Sequence, residues 1–263
     1  MSIENVKMNL DKNERLTEEV KDGLFDLINL FHYNFPEVSL DLLEQRIQTL
    51  TTERVNQYIT KKVSHYNSGT NCIQMNEESL RSAENVDFHV MKSILDMITQ
   101  NEKDSKHMLD AYHEGMSVMF SSNLVGRDEN ERYTPEESLT QMICSVVGLE
   151  KAMDAYFKND PEVLVTYLSD EGMKMEDAVS FLEKMSHDQK TRGVSQKSSY
   201  KNLVGQFVGS FENGIKKEQS EVILEFLVDN PSYFENDSID FGDLSDLSNM
   251  VSKVVVKETV NVK

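Results

Sequence analysis

His89, Lys92, Ser93, Asp96 and Gln100 are spaced i, i+3, i+4, i+7 and i+11, so they form one polar stripe on a helix whose remaining residues are almost all apolar. A second helix follows with Tyr112-His113-Glu114-Gly115. One chemistry that a histidine-bearing helical stripe can carry is metal-assisted hydrolysis. It needs two imidazoles at i and i+4, so that both reach one ion from one helical face, and a glutamate beside the first to take a proton from the bound water. The stripe does not provide these groups. Lys92 is a cation that would repel Zn²⁺, Ser93 cannot serve as the base, and Asp96 alone is one weak carboxylate ligand. Starting at His89 does not restore the pattern, because Val90 and Ser93 then stand where glutamate and the second histidine belong. A metal site rebuilt from His89, His113 and Glu114 across the two helices remains open as an alternative. Lys92 and Asp96 also read as an ordinary i, i+4 ion pair. The histidines His32, His65, His107 and His187 have no ligand spacing, and the chain has no Gly-rich phosphate loop, nucleophile elbow or Cys/His catalytic pattern.

The elements that must position these residues are legible upstream and downstream. Ser64 to Met75 reads as a short strand region with a tight turn at Asn67-Ser68-Gly69, after which Asn71, Cys72, Ile73, Gln74 and Met75 alternate like a half-buried strand. Asn76-Glu77-Glu78-Ser79 looks like a cap, and the striped helix runs from beyond Asn85 to about Ile98. Residues 1 to 16 are polar and read as frayed. Val20, Leu24, Leu27, Ile28 and Phe31 make an apolar helical stripe that ends near Asn34, before Pro36. Leu40, Leu43, Ile47 and Leu50 continue helical spacing, while Val55, Ile59 and Val63 suit a helix or a strand equally. On the helix that holds His113, the spacing puts Met108, Tyr112, Met116, Met119 and Phe120 on the core side and Asp110, His113, Glu114, Ser117 and Ser121 on the other.

Farther on, Thr134-Pro135 and Asp160-Pro161 start helices. Ala178, Phe181, Leu182 and Met185 mark another, and Ser186 to Ser199 reads as a linker. Tyr200, Leu203, Val204, Phe207, Val208 and Phe211 form an amphipathic helix in which Gly205 and Gly209 suggest close packing. Val222, Ile223, Phe226 and Leu227 form another; then come an acidic Ser-rich stretch and a Val-rich tail, either strand or disordered. The expected fold is α+β and predominantly helical, with one domain over residues 1–190 and a helical extension over 191–263.

The strand region, the striped helix and the helix with His113-Glu114-Gly115 together resemble a bacterial zincin-like metallopeptidase over about Ser64 to Met185. Aligned on Ile94-Leu95, Lys92, Ser93 and Asp96 fall where that family has its His-Glu-x-x-His motif, and His113-Glu114-Gly115 is similar to its Asn-Glu-Gly, with Glu114 at the third-ligand position. Glu137 to Gly148 and Leu149 to Phe157 are similar to the helices that close such domains. The resemblance implies a zincin-like domain that has lost its His-Glu-x-x-His motif and binds no cofactor. It also implies a cleft-lining strand, Asn71 to Met75, that can still pair with an extended peptide, since main-chain pairing needs no metal.

Composition limits the partners. A net charge of -19 argues against nucleic acid and anionic membranes, which need a basic patch, and favours a basic peptide or protein surface. No run approaches the ~18 apolar residues of a membrane span, and Met1 to Arg15 has no apolar signal core, so a cytoplasmic location is expected. Cys72 and Cys144, far apart and in apolar segments, read as buried reduced thiols. The expected function is a noncatalytic protein-binding module. A metallohydrolase with a rearranged site is one alternative, and an acidic helical protein whose function lies in residues 200 to 263 is another.

Overall fold

A computed structural model of the chain describes residues 3–34, 45–56, 62–99, 107–129, 134–190 and 197–211, together with Ile215 and Gln219. The protein is predominantly helical with one small three-stranded sheet, an α+β fold. It divides into two compact units, Met1–Glu102 with Ser117–Glu131, and Lys103–Met116 with Arg132–Lys263.

The first unit begins with α1 (Ile3–Asp11) and α2 (Glu18–Asn34). The polar N-terminus is helical, not frayed. Leu10 and Leu16 supply the reason: each is at least 95% buried, so a mostly polar segment is anchored by two apolar side chains. Helix α2 has the limits its apolar stripe implies, with Val20, Leu24, Leu27, Ile28 and Phe31 all in the core. The sheet contains β1 (Thr51–Val55), β2 (Ser64–Asn67) and β3 (Cys72–Asn76) in the order β1-β3-β2. Strand β3 runs parallel to β1 and antiparallel to β2, with Thr52, Ile73 and Tyr66 in one row and Glu53, Gln74 and His65 in the next.

The β2–β3 hairpin forms because Asn67 Oδ1 accepts from Gly69 N (3.1 Å), its carbonyl accepts from Thr70 N (3.4 Å), and Asn71 takes the left-handed backbone at φ 47° that closes the loop. Strand β1 reads as polar and escapes the spacing argument. Its ladder partner and the Thr52 N to Arg15 O bond (2.9 Å) hold it instead. After α3 (Glu77–Leu80), capped by Asn76, comes α4 (Val86–Thr99), which buries ten of its fourteen residues and packs on α2 and β2. Gly23 on α2 admits the Ile94 side chain: a Cβ there would lie 2.9 Å from Ile94 Cδ1.

Helix α5 (Asp110–Val125) gives its residues from Ser117 on to the first unit and those up to Met116 to the second. The second unit adds α6 (Pro135–Val147), α7 (Leu149–Lys158), α8 (Pro161–Asp170), α9 (Met175–Lys190) and α10 (Lys197–Gly209). Thr134 and Asp160 cap α6 and α8 with Pro at the first helical turn, as their sequences imply. Ser186 to Lys190 is helix, not linker, because Ser186 faces inward. Its hydroxyl donates to Met108 O (2.8 Å) and accepts from Ala111 N (3.2 Å).

Helices on both sides of residue 190 belong to this unit, with Phe181 and Phe207 in ring contact and Tyr200 OH 2.6 Å from Ser138 Oγ. Gly209 is not a close-packing glycine, since a Cβ there would meet nothing within 4 Å. Residues 220–263, which include the expected helix at Val222 to Leu227, the acidic stretch and the Val-rich tail, lie outside the described residues.

Candidate functional site

Helix α4 carries the candidate positions, and its N-terminus is built by side chains on the segment before it and on the loop after α5. Asn85 Oδ1 accepts from Phe88 N (3.1 Å), while Asn85 Nδ2 donates to the carbonyls of Val125 and Gly126. Asp128 is fully buried. Its Oδ2 accepts from the main-chain N–H of Glu84 and of Asn85 (3.0 Å each) and lies 3.1 Å from His89 Nε2. A carboxylate taken out of water is tolerable when several donors converge on it, and here three do. His89 is thus committed to Asp128.

One turn along, Ser64 on β2 donates its hydroxyl to His89 O (2.6 Å), and its Oγ lies 2.7 Å from Ser93 Oγ. Ser93 is 1% exposed, so this hydroxyl pair is interior packing. Lys92 and Asp96 are half-buried, and Asp96 Oδ1 accepts from Ser117 Oγ (2.9 Å). Ser117 and Ser121, read from spacing as the outer face of their helix, are fully buried; Ser121 donates back to Ser117 O (2.8 Å). A serine can be buried in this way because its hydroxyl finds a carbonyl one turn back on its own helix.

The other two candidate residues lie in the second unit. His113 and Glu114 are half-buried on α5, and the His113 ring stands edge-on to Tyr156 with centroids 5.4 Å apart. The neighbouring Tyr112 is fully buried and donates its hydroxyl to Ala152 O (2.7 Å). Gly115 is the contact point between α5 and α6. A Cβ there would overlap Thr140 Oγ1 and lie 2.5 Å from the Glu136 carbonyl, so this glycine has a steric purpose independent of any ligand at Glu114. Among the described residues no three His, Cys, Asp or Glu side chains come together as a metal site, and His89 belongs to the first unit while His113 and Glu114 belong to the second.

The peptide-pairing strand requires correction. Asn71 to Met75 was expected to offer a free edge, but Cys72, Ile73, Gln74 and Met75 are in the central strand, laddered on both sides. Asn71 is a turn residue whose side chain donates to Arg46 O and Thr49 Oγ1. The edge belongs to β2. Asn76 N donates to Val63 O (2.9 Å), and hydrogen-bonded and non-bonded pairs alternate along an antiparallel ladder, so the main-chain groups of Ser64 and Tyr66 point away from β3. Among the described residues nothing pairs with them. The opposite edge, β1, is engaged at Thr52 by Arg15. The period-2 pattern located β3, but strand order depends on long-range pairing that no local pattern records.

Asp128, Ser64 and Asn85 were not among the candidates. Only Asn85 carried a signal, as an Asn one residue before an apolar helix.

Both cysteines are reduced and buried. Cys144 donates to Met116 Sδ at 3.7 Å, and burial pushes its thiol up to about 12. A thiol reagent at pH 8 is therefore expected to label Cys144 only at the rate of unfolding, whereas fast labelling of the native protein would contradict this burial.

Among the described residues no helix is long and apolar enough to cross a membrane. Comparison of the chain with protein-family models, with curated proteins and with solved structures gave no match.

Proposed function

We propose that this chain is a zincin-like module without peptidase chemistry, which binds an extended segment of a partner protein or peptide by strand addition. The observation that carries this reading is the outer edge of β2. There Ser64 and Tyr66 direct main-chain donors and acceptors outward, with no partner among the described residues. An edge of this kind is a template for an added strand. The motif positions support the noncatalytic part: Ser93 is bonded to Ser64, Asp96 accepts from Ser117 and Lys92 is a cation. With a net charge of -19, a basic partner associates faster than an acidic one.

The test uses the outward N–H of Tyr66. Proline is tolerated on an edge strand where its missing N–H faces away from the ladder, so Tyr66→Pro removes one donor from the edge while leaving the bonds to β3. Tyr66→Ala is the control: it removes the ring and its hydroxyl bond to Asn71 but keeps the donor. Partners retained by the full chain should be lost with Tyr66→Pro and kept with Tyr66→Ala. Equal retention by both would refute strand addition at β2.

A further inference from the structure

A surface hollow of about 220 Å³ lies in the first unit where β1 meets α3, lined by Arg54, Glu77, Leu80 and Arg81. Its volume is several times the ~30 Å³ share of one water, so it has room for a molecule of several heavy atoms. Three charges surround it without cancelling one another. The ion contact of Arg54 is with Glu19, outside the hollow and long at 3.7 Å. Glu77 and Arg81 have the i, i+4 spacing that pairs readily on a helix, yet among the described residues neither makes an ion pair. Helix α3 is a single turn, with Arg81 as its C-cap. In a chain with 46 acidic and 27 basic residues, an arginine with no carboxylate partner among the described residues, beside a second, loosely held one, is a local reversal of the prevailing charge.

We propose that this hollow binds a small zwitterion of the amino-acid class, its carboxylate held by Arg54 and Arg81, its ammonium directed to Glu77 and its carbon chain laid on Leu80. A guanidinium matches a carboxylate bidentately, which a lysine would not. The lone Glu77 among the lining residues gives the preference for a ligand that also carries a cation, and Leu80 gives a preference for an aliphatic body. The inference is independent of strand addition at β2.

The test is an NMR titration of the full chain with leucine, with 4-methylpentanoate (no ammonium) and with leucinamide (no carboxylate). Leucine should shift the Leu80 methyls and the Arg54 and Arg81 Nε–H signals, with a Kd of about 1 mM, as expected for a small ligand in an open site. Each truncated analogue should bind at least threefold more weakly. Arg54→Gln/Arg81→Gln should abolish the leucine shifts, and Glu77→Gln should remove the difference between leucine and 4-methylpentanoate. All three side chains reach solvent, and an unchanged amide spectrum would verify that the variants fold. The proposal is overturned if leucine leaves these signals unmoved at ~10 mM, ten times the expected Kd, or moves the Leu80 methyls equally in the double-arginine variant.

Discussion

Replacing Asp128 with alanine is expected to lower stability by about 3–5 kcal/mol, the usual range when one partner of a buried charged cluster is removed. The loss has several parts. Two main-chain N–H groups, of Glu84 and Asn85, lose their acceptor just before α4, and the His89 imidazole loses its partner in the interior. Water cannot replace the carboxylate without entry to a residue that is fully buried. Asp128→Asn is expected to cost less, because the amide oxygen still accepts from one or two of the three donors. The measurement is the midpoint of chemical unfolding for both variants, together with hydrogen exchange of the first-turn amides of α4, which should accelerate in Asp128→Ala. Equal stability of Asp128→Ala and the parent chain would mean that the donors find other acceptors and that the cluster does not anchor the helix.

Gly115→Ala is expected to destabilise by about 2 kcal/mol, with opposing effects setting the size. Alanine favours a helix over glycine by about 1 kcal/mol. Against this, the new methyl would lie 2.5 Å from the Glu136 carbonyl and 2.7 Å from Thr140 Cβ, atoms that cannot rotate away as the Thr140 hydroxyl can. Overpacking of this kind costs about 1–3 kcal/mol and sometimes more, and a clash with the backbone of a neighbouring helix belongs at the upper end. Thermal unfolding should shift down by roughly 4–8 °C for a chain of this size. Adding Thr140→Ala should recover only part of the loss, since the carbonyl remains. A gain in stability with Gly115→Ala alone would show that α5 and α6 approach less closely than the geometry gives.

Helices were readable from the sequence wherever a cap, a proline and an apolar stripe agreed, as at Thr134-Pro135 and Asp160-Pro161. They were misread where one or two buried side chains outweighed a polar composition. Leu10 and Leu16 hold the N-terminal helix in this way, and inward-facing Ser186 prolongs α9 through a segment that looked like a linker. Strand β1 escaped because Thr51 to Val55 has little apolar pattern of its own and is held by its neighbour in the ladder. The candidate site was readable as a set of positions but not as a set of contacts. That Lys92, Ser93 and Asp96 lack zinc chemistry follows from residue type, whereas the pairing of Ser93 with Ser64, of Asp96 with Ser117 and of His89 with Asp128 joins residues 21 to 39 positions apart.

The Ser64–Ser93 hydroxyl pair also bears on how this chain can change by mutation. Position 93 is 1% exposed, and its Oγ lies 2.7 Å from a neighbour whose own hydroxyl is bonded to the His89 carbonyl. A glutamate at 93 would push one extra methylene and a carboxylate into space already filled, with unfavourable packing and desolvation acting together. A mutational path toward a carboxylate at that position must first reduce Ser64, and that step leaves the Ser93 hydroxyl short of a partner. Each single substitution is therefore disfavoured while the other residue stands, so the pair is entrenched: sequence drift can alter the exposed positions of α4 far more readily than it can change this one.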